Sequence, residues 1–277
     1  MLFRSGVPFE RWSAAEARAR YPQFRLPNEW EVLFEPGAGF ARPERAVRAA
    51  VRVARGQGAT VLEGVRVLDW AETAAGVRVR TDQGDHEAAS LVLTPGAWAP
   101  KIATALGVDL QPLRVPITWL EPRDAAACAE PTMPVWYIDR PGACGIYGVP
   151  TARDQGEPGG VKVAVHGNGT LVDPDATKHP PTQAELESIR ADTEVFLPAA
   201  AGRVLAGSTC LYTMSPDEHF VVDRMPGCQR VFVACGFSGH GFKFMPVMGQ
   251  ALADLAQHGD TALPIGFLKA ERLRRAS

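Results

Sequence analysis

The chain has 277 residues, of which 46% are hydrophobic and 22% are charged, and its formal net charge is −2. This balance is ordinary for a globular protein of one large or two modest domains, and it excludes a basic surface for nucleic acid or anionic membranes. The five cysteines show no C-x-x-C spacing and the six histidines no H-x-x-x-H pairing. We therefore expect no metal site, no disulfide framework, no nucleic acid or membrane partner, and a cytoplasmic location.

The first part of the chain predicts helices alternating with strands. Ser13 and Glu16 have the spacing of a capping box, so a short helix should begin there and end before Pro22. Apolar residues at helical spacing predict a second helix that stops near Gly56. Strands are predicted at Thr60–Leu62, Val65–Leu68, Val77–Thr81 and Leu91–Leu93, and a third helix between Trp98 and Leu106.

The middle of the chain predicts mainly strands. These are expected at Val115–Leu120, Val135–Ile138, Gly145–Gly148 and Val161–His166. One helix interrupts them, opened by a capping box at Thr182 and Glu185 and ended at Pro198. After Asp217 the mixed α/β character returns, which indicates one domain assembled from discontinuous pieces with a β-rich domain inserted.

A glycine-rich stretch from Cys235 to Phe244 follows the apolar run Arg230–Ala234, which predicts a buried strand. A helical pattern comes next, with Met248, Ala251 and Leu252 on one face. The glycines therefore occupy a strand-to-helix turn. In such a turn, missing side chains allow backbone N–H groups and a helix N-terminus to face a ligand.

The sequence of this turn, GFSGHGFK before a helix, resembles the C-terminal flavin loop of the monomeric sarcosine oxidase and N-methyltryptophan oxidase family, within the D-amino acid oxidase superfamily. The resemblance implies FAD as cofactor and an α/β (α+β) fold. An FAD-binding Rossmann-like domain would take residues 38–113 and 218–277. A mainly antiparallel β-sheet substrate domain would take residues 1–37 and 114–217.

One part of the family pattern has no match. Those flavoenzymes open with G-x-G-x-x-G, a phosphate cradle for the ADP half of FAD, and this motif occurs nowhere in the 277 residues. Gly236, Gly239 and Gly241 give G-x-x-G-x-G instead. We therefore expect an incomplete FAD-binding domain whose N-terminal βαβ unit is missing. A partner chain, or an upstream start of the same gene, would supply that unit.

Two side chains resemble reactive positions of the family. Cys210, in Cys-Leu-Tyr-Thr followed by Asp-Glu-His-Phe, resembles the cysteine bonded to the 8α carbon of FAD. The alternative is a small buried hydrophobe. Lys162 and His166 match G-x-K-x-x-x-H, in which the lysine lies over the flavin and assists the reaction with oxygen. The alternatives are an edge-strand lysine that faces water and a structural histidine.

The remaining site residues also follow from the resemblance. Lys243 would contact the substrate carboxylate, and Tyr147 would line the substrate pocket unless it is simply packed in a sheet. Residues expected near the flavin are Val67, Gly96, Ala97, Trp98, Gly236, Phe237, Gly239, His240, Gly241, Phe242 and Lys243.

These residues predict an FAD-dependent amine oxidoreductase acting on CH–NH donors. The substrate would be a secondary (N-methyl) amino acid such as sarcosine or N-methyltryptophan, and O2 would be reduced to H2O2. Two alternatives stay open. One is a glycine- or proline-type oxidase or dehydrogenase of the same superfamily, and the other is a non-catalytic truncated remnant that acts as a binding module.

Overall fold

A computed structural model describes residues 6–151, 158–176 and 180–273. The chain divides into two compact units, each assembled from separate stretches. Unit 1 comprises residues 1–40, 114–170 and 177–210, and unit 2 comprises residues 41–113, 171–176 and 211–277. The assignment of a substrate role to one set of segments and an FAD-binding role to the other stays a prediction.

The fold mixes helices with mainly antiparallel strands, as predicted. Within the described ranges the helices are α1 (Ala14–Arg20), α2 (Pro43–Gly56), α3 (Pro100–Leu106), α4 (Gln183–Phe196) and α5 (Met245–His258). The strands are β1 (Glu10–Ser13), β2 (Glu31–Phe34), β3 (Val67–Glu72), β4 (Val77–Thr81), β5 (Gly84–Ala88), β6 (Leu91–Leu93), β7 (Gln111–Leu120), β8 (Trp136–Arg140), β9 (Ala143–Val149), β10 (Val161–Val165), β11 (Thr170–Leu171), β12 (Val204–Met214), β13 (Val221–Arg224) and β14 (Val231–Cys235). None of these helices is long and apolar enough to cross a membrane.

Both predicted capping boxes are present. The Ser13 Oγ accepts a hydrogen bond from the Glu16 N–H at 3.2 Å, and the Glu16 carboxylate accepts one from the Ser13 N–H at 2.8 Å. Thr182 and Glu185 make the same pair of bonds at 3.2 and 2.7 Å. Because each box satisfies two N–H groups that a helix start leaves unpaired, α1 and α4 begin where the sequence predicts.

Unit 1 contains a sheet in the order β11-β7-β10-β9-β8, with β12 also paired to β7. Strand β10 therefore lies in the interior of the sheet. Its residues Val161, Val163 and Val165 pack into a core shared with Ile189 and Leu197 at helix α4. Side chains alternate between the two faces of a strand, so Lys162 and Ala164 belong to the opposite face.

Unit 2 is layered around β14, which pairs antiparallel with β13 and parallel with β6. One face of β14 packs with Val77 of β4 and Leu106 of α3, and the other packs with Met248 and Leu252 of α5. A second sheet of this unit has the order β3-β4-β5. Helix α5 on one side, and strand β4 with helix α3 on the other, thus bury both faces of the central strand.

Some predicted elements are wrong or shifted. No strand forms at Thr60–Leu62, where the backbone is irregular and Leu62 is 55% exposed. The strand predicted at Val65–Leu68 begins at Val67 and continues to Glu72, because its pairing with β4 begins there. Strands β1, β2, β5, β11, β12 and β13 are elements that we did not predict. A strand depends on its neighbour for hydrogen bonds, and local sequence does not reveal that neighbour.

Candidate active site

The predicted strand-to-helix turn lies between β14 and α5 in unit 2, and we call residues 236–243 the glycine turn. Gly236 and Gly239 have φ values of +65° and +80°, in the left-handed region that favours glycine. A Cβ added at Gly239 would lie 2.1 Å from the Tyr212 ring. Glycine is required here for backbone conformation and for close packing.

Ser238 anchors the glycine turn. It is 1% exposed and has a φ of +48° although it carries a side chain. Its N–H donates to the Thr213 carbonyl at 2.9 Å, and its Oγ accepts from the Ser215 N–H at 3.1 Å. These bonds tie the turn to the end of β12 and offset the cost of the unusual backbone conformation.

The predicted Gly96–Trp98 segment is bonded to the same strand end. It forms a short 3-10 helix in which Gly96 has a φ of +55°. The Thr213 Oγ1 donates to the Gly96 carbonyl at 3.0 Å, while the Thr213 carbonyl accepts from Ser238. Residues distant in sequence, 96–98 and 236–243, therefore meet at Thr213. Val67 starts strand β3 in the separate β3-β4-β5 sheet, and its place near the flavin stays a prediction.

The Asp-Glu-His-Phe segment, Asp217–Phe220, also contacts the glycine turn. The His240 Nε2 lies 3.0 Å from the Glu218 carbonyl oxygen, and the His240 ring lies 5.1 Å from the Phe220 ring. Burial opposes ionisation of Asp217, but the Arg272 guanidinium 2.8 Å away and the His219 N–H together lower its pKa. An ionised Asp217 thus holds this segment in place.

Lys243 is exposed and lies in the 3-10 helix Phe242–Phe244, one turn before α5. Lys243 therefore precedes the α-helix that follows the glycine turn. The α-helix starts at Met245, where Pro246 occupies its first turn. Proline is favoured there because its fixed φ suits a helix start and its missing N–H is not needed.

The groups that the glycine turn presents outward fit the ring end of a flavin. The side chains of Phe242 and Lys243 are exposed. Within the described part of the chain, the N–H groups of Gly239 and Gly241 donate to no backbone carbonyl. Available N–H donors beside a helix start suit an electron-rich ring edge or an anion. The ADP end of FAD needs a different cradle, and the 277 residues contain no G-x-G-x-x-G.

In unit 1, three predicted residues share the sheet face opposite the core, which we call the Lys162 face. Lys162 lies opposite Trp119 of β7 and Val149 of β9, and its Nζ is 5.5 Å from the Trp119 ring centroid. Because β10 is interior, the alternative of an edge-strand lysine is wrong. A cation over an aromatic ring beside half-buried neighbours is held in place.

Tyr147 and His166 belong to the same face. Tyr147 lies opposite Ala164, and its ring is 6.4 Å from the His166 ring. Tyr137, which the sequence motifs did not single out, lies opposite Tyr147 on β8 with its ring 6.3 Å from His166. One local signal for Tyr137 was present in the sequence. Side chains alternate between the faces of a strand, so a buried Ile138 places Tyr137 on the opposite, exposed face.

The cysteines differ in their surroundings. Burial raises the pKa of Cys128 to about 11 and that of Cys235 to about 12, so both thiols stay protonated at neutral pH. Cys210 is only half-buried, on β12, and Cys144 is exposed. None of the five forms a disulfide, and the described residues contain no group of side chains suited to a metal ion. The deeply buried thiols are inert packing groups.

The chain shares its fold with a solved structure. A crystal structure of L-proline dehydrogenase from P. horikoshii superposes with a TM-score of 0.80 at 23% identity, covering 96% of this chain and 69% of that one. The family of FAD dependent oxidoreductases then matches residues 2–255. The chain belongs to this family, so its cofactor is FAD.

Two curated relatives are similar over most of the chain. Monomeric sarcosine oxidase of Streptomyces avermitilis is 37% identical over 272 residues, which cover 98% of this chain and 70% of the relative. N-methyl-L-tryptophan oxidase of Salmonella dublin is 32% identical over 250 residues, which cover 89% of this chain and 64% of the relative. The chain thus matches roughly two thirds of the length of each.

Proposed function

We propose that the protein is an FAD-dependent oxidase of secondary (N-methyl) amino acids such as sarcosine or N-methyltryptophan. The names of the two relatives support this substrate class. The observation that carries the proposal is the junction at Thr213, where the glycine turn and the Gly96–Trp98 segment are bonded to one strand end. In this proposal unit 2 supplies most of the residues that contact FAD, and unit 1 supplies most of those that contact substrate.

Each residue has a stated role in the proposal. Bound FAD supplies the two-electron acceptor for oxidation of the C–N unit, and O2 is then reduced to H2O2. Lys243 pairs with the substrate carboxylate, and the Gly239 and Gly241 N–H groups stabilise negative charge at the ring edge. Lys162 provides a fixed cation for the charge that develops during O2 reduction, while Tyr147 and His166 line the substrate side.

Cys210 is the thiol that we propose as a covalent tether. Its sulfur would form a C–S bond to the 8α methyl carbon of FAD, releasing two hydrogens that O2 takes up as H2O2. Cys210 and Cys228 are both partly buried, and burial raises the pKa of the Cys228 thiol, so we choose Cys210 for its match to the family segment. The free cysteines also support a reducing compartment such as the cytoplasm.

We further propose that a partner chain supplies the G-x-G-x-x-G unit. Strand β6 ends the order β13-β14-β6 among the described strands, and its pairing with β14 is parallel. Helix α2 has an apolar side yet none of its residues is buried, and Val53 is 57% exposed. A parallel edge strand and an uncovered apolar helix are each features that an added βα segment could cover.

The test begins with the colour of the purified protein after incubation with FAD and, separately, with FAD plus the part of the S. avermitilis relative outside the match. Protein with bound flavin absorbs near 450 nm, and a covalent flavin stays in the pellet after acid precipitation. Cys210→Ser should move the flavin to the supernatant, whereas the control Cys144→Ser should not.

Substrate oxidation is then measured as H2O2 release. Sarcosine or N-methyl-L-tryptophan should give the largest kcat/KM. Faster turnover of glycine or proline would favour the alternative oxidase. Protein that stays colourless in both incubations and oxidises none of the four would favour the non-catalytic module. Flavin binding only when the relative's segment is present would show that a separate segment can complete the flavin site, and binding without it contradicts the proposed partner chain.

A further inference from the structure

Tyr137 forms a ring cluster on the Lys162 face with Tyr147 and His166, and all three residues belong to unit 1. Tyr137 and Tyr147 are directly opposite each other on adjacent antiparallel strands, so their side chains leave the sheet on the same side. Both rings meet His166 edge-on, at interplanar angles of 71°. The two tyrosines and the histidine therefore form one aromatic surface.

The Tyr137 ring lies over the neighbouring strand β9 instead of projecting away from the sheet. A Cβ added at Gly145 of β9 would lie 2.1 Å from the Tyr137 hydroxyl oxygen. Any side chain at residue 145 would push the ring away. Gly145 thus lets Tyr137 cover β9, and the tyrosine is still 56% exposed.

Tyr137 is a large aromatic side chain that the unit 1 core leaves exposed. Ile138, the next residue, is buried in the unit 1 core opposite Ile146. The sheet is therefore stabilised from its other face, and the ring cluster is not needed to form the core. A flat, exposed ring next to the proposed substrate residues Tyr147 and His166 suits contact with an aromatic or large apolar group.

The geometry points to Tyr137 as a specificity-determining residue that stacks on the side chain of the substrate and favours N-methyl amino acids with an aromatic side chain over sarcosine. This inference rests on the proposed function. It goes beyond that function by naming the residue that selects among substrates. Sarcosine has no side chain to reach the ring, so its oxidation should not depend on residue 137.

The first test compares Tyr137→Ala and Tyr137→Phe in the flavin-loaded protein. Tyr137→Ala should lower kcat/KM for N-methyl-L-tryptophan about fivefold, the size of one aromatic pair, and leave sarcosine within about twofold. Tyr137→Phe should keep both values, because the ring and not the hydroxyl makes the contact. The control is Val195→Ala, an exposed apolar residue of α4 in the same unit.

A binding readout separates this inference from the oxidase proposal. Indole-3-acetate carries a carboxylate and an aromatic ring but no amine to oxidise, and acetate lacks the ring. Calorimetry should show that Tyr137→Ala weakens indole-3-acetate about fivefold and leaves acetate unchanged. If no substrate is oxidised but this dependence is found, the oxidase proposal fails while the aromatic contact made by Tyr137 is supported.

Three results would overturn the inference. The first is equal loss of N-methyl-L-tryptophan and sarcosine oxidation in Tyr137→Ala, which would indicate a general structural role. The second is a Tyr137→Phe variant that behaves like Tyr137→Ala, which would assign the effect to the hydroxyl. The third is indole-3-acetate binding that is absent or unaffected by Tyr137→Ala. Matching thermal unfolding of all variants would show that they are folded.

Discussion

The two units present their candidate residues in different ways. In unit 1 the Lys162 face uses side chains on the interior strand β10, whose other face is the core. In unit 2 the glycine turn uses backbone groups held by Ser238 and Thr213. Side chains on a strand can be exchanged without disturbing the fold, whereas a turn defined by its backbone conformation cannot. Substitutions should therefore separate chemistry from stability in unit 1 and affect both together in unit 2.

The largest effect is expected at Lys162. Lys162→Met should slow reoxidation of the reduced protein by O2 about 10²-fold, because a fixed charge beside the reacting centre is lost. Stability should change little, since Lys162 is only half-buried and faces away from the core. Stopped-flow mixing with O2 measures this step, and anaerobic reduction by substrate serves as the internal reference.

Lys269→Met, at an exposed lysine of unit 2, is the matched control for that experiment. An unchanged reoxidation rate in Lys162→Met would contradict the proposed role of Lys162 in the reaction with O2. A large loss of stability would show that the two units do not differ in the way described.

Gly239→Ala should destabilise the protein by about 2–4 kcal/mol. The alanine must adopt a left-handed backbone, and its Cβ would lie 2.1 Å from the Tyr212 ring. Urea unfolding measures the loss. Gly249→Ala in α5 is the control, since its Cβ meets nothing within 4 Å, and it should stabilise by about 0.5–1 kcal/mol.

A Tyr212→Ala background separates the clash with the Tyr212 ring from the backbone cost of Gly239→Ala. In that background the added Cβ of Gly239→Ala finds space, and only the backbone cost of about 1–2 kcal/mol should remain. Equal costs in both backgrounds would mean that the ring does not constrain the glycine turn.

Unit 1 should be most sensitive away from the Lys162 face, at Glu185. This carboxylate caps α4 and also accepts two hydrogen bonds from the buried Arg114, at 2.8 and 3.0 Å. The hydrogen bond from Arg114 and those from Thr182 outweigh burial and lower the pKa of Glu185 to about 2. Glu185→Gln should destabilise the chain by about 2 kcal/mol, whereas Glu187→Gln, in a surface pair with Arg190, should cost under about 0.5 kcal/mol.

The sign of the pH dependence follows from the lowered pKa. An unfolded Glu185 titrates near 4.5, so its ionised form stabilises the fold fully above that pH. This contribution is lost as the pH falls from about 4.5 to about 2. The stability difference between the unchanged chain and Glu185→Gln should narrow over that interval, as measured by urea unfolding. A constant difference would contradict the assignment.

The smallest effect is expected for Ser238→Ala, at about 1–2 kcal/mol. The substitution removes the Oγ that accepts the Ser215 N–H and leaves that buried donor without its partner. Chemical unfolding measures the change, with the exposed Ser208→Ala as control. A neutral result would show that the Thr213 bonds alone hold the turn.

Local patterns predicted a good part of the molecule. Both capping boxes, a strand at Val161–His166 and the turn after β14 were recognisable from residues close together in sequence. The local pattern did not distinguish the 3-10 segment Phe242–Phe244 from the α-helix that follows it. Thr60–Leu62 has apolar residues that suit a strand but pairs with no described neighbour.

The sequence by itself determined the local elements and the family, since caps, alternation and the GFSGHGFK motif each depend on a few neighbouring residues. Only the tertiary structure decided that Thr213 joins Gly96 to Ser238, that β10 is interior, and that Tyr137 lies over Gly145 beside His166. These outcomes depend on strand pairing and register between distant segments. Register is selected by burial of a whole sheet face, which no short stretch of sequence encodes.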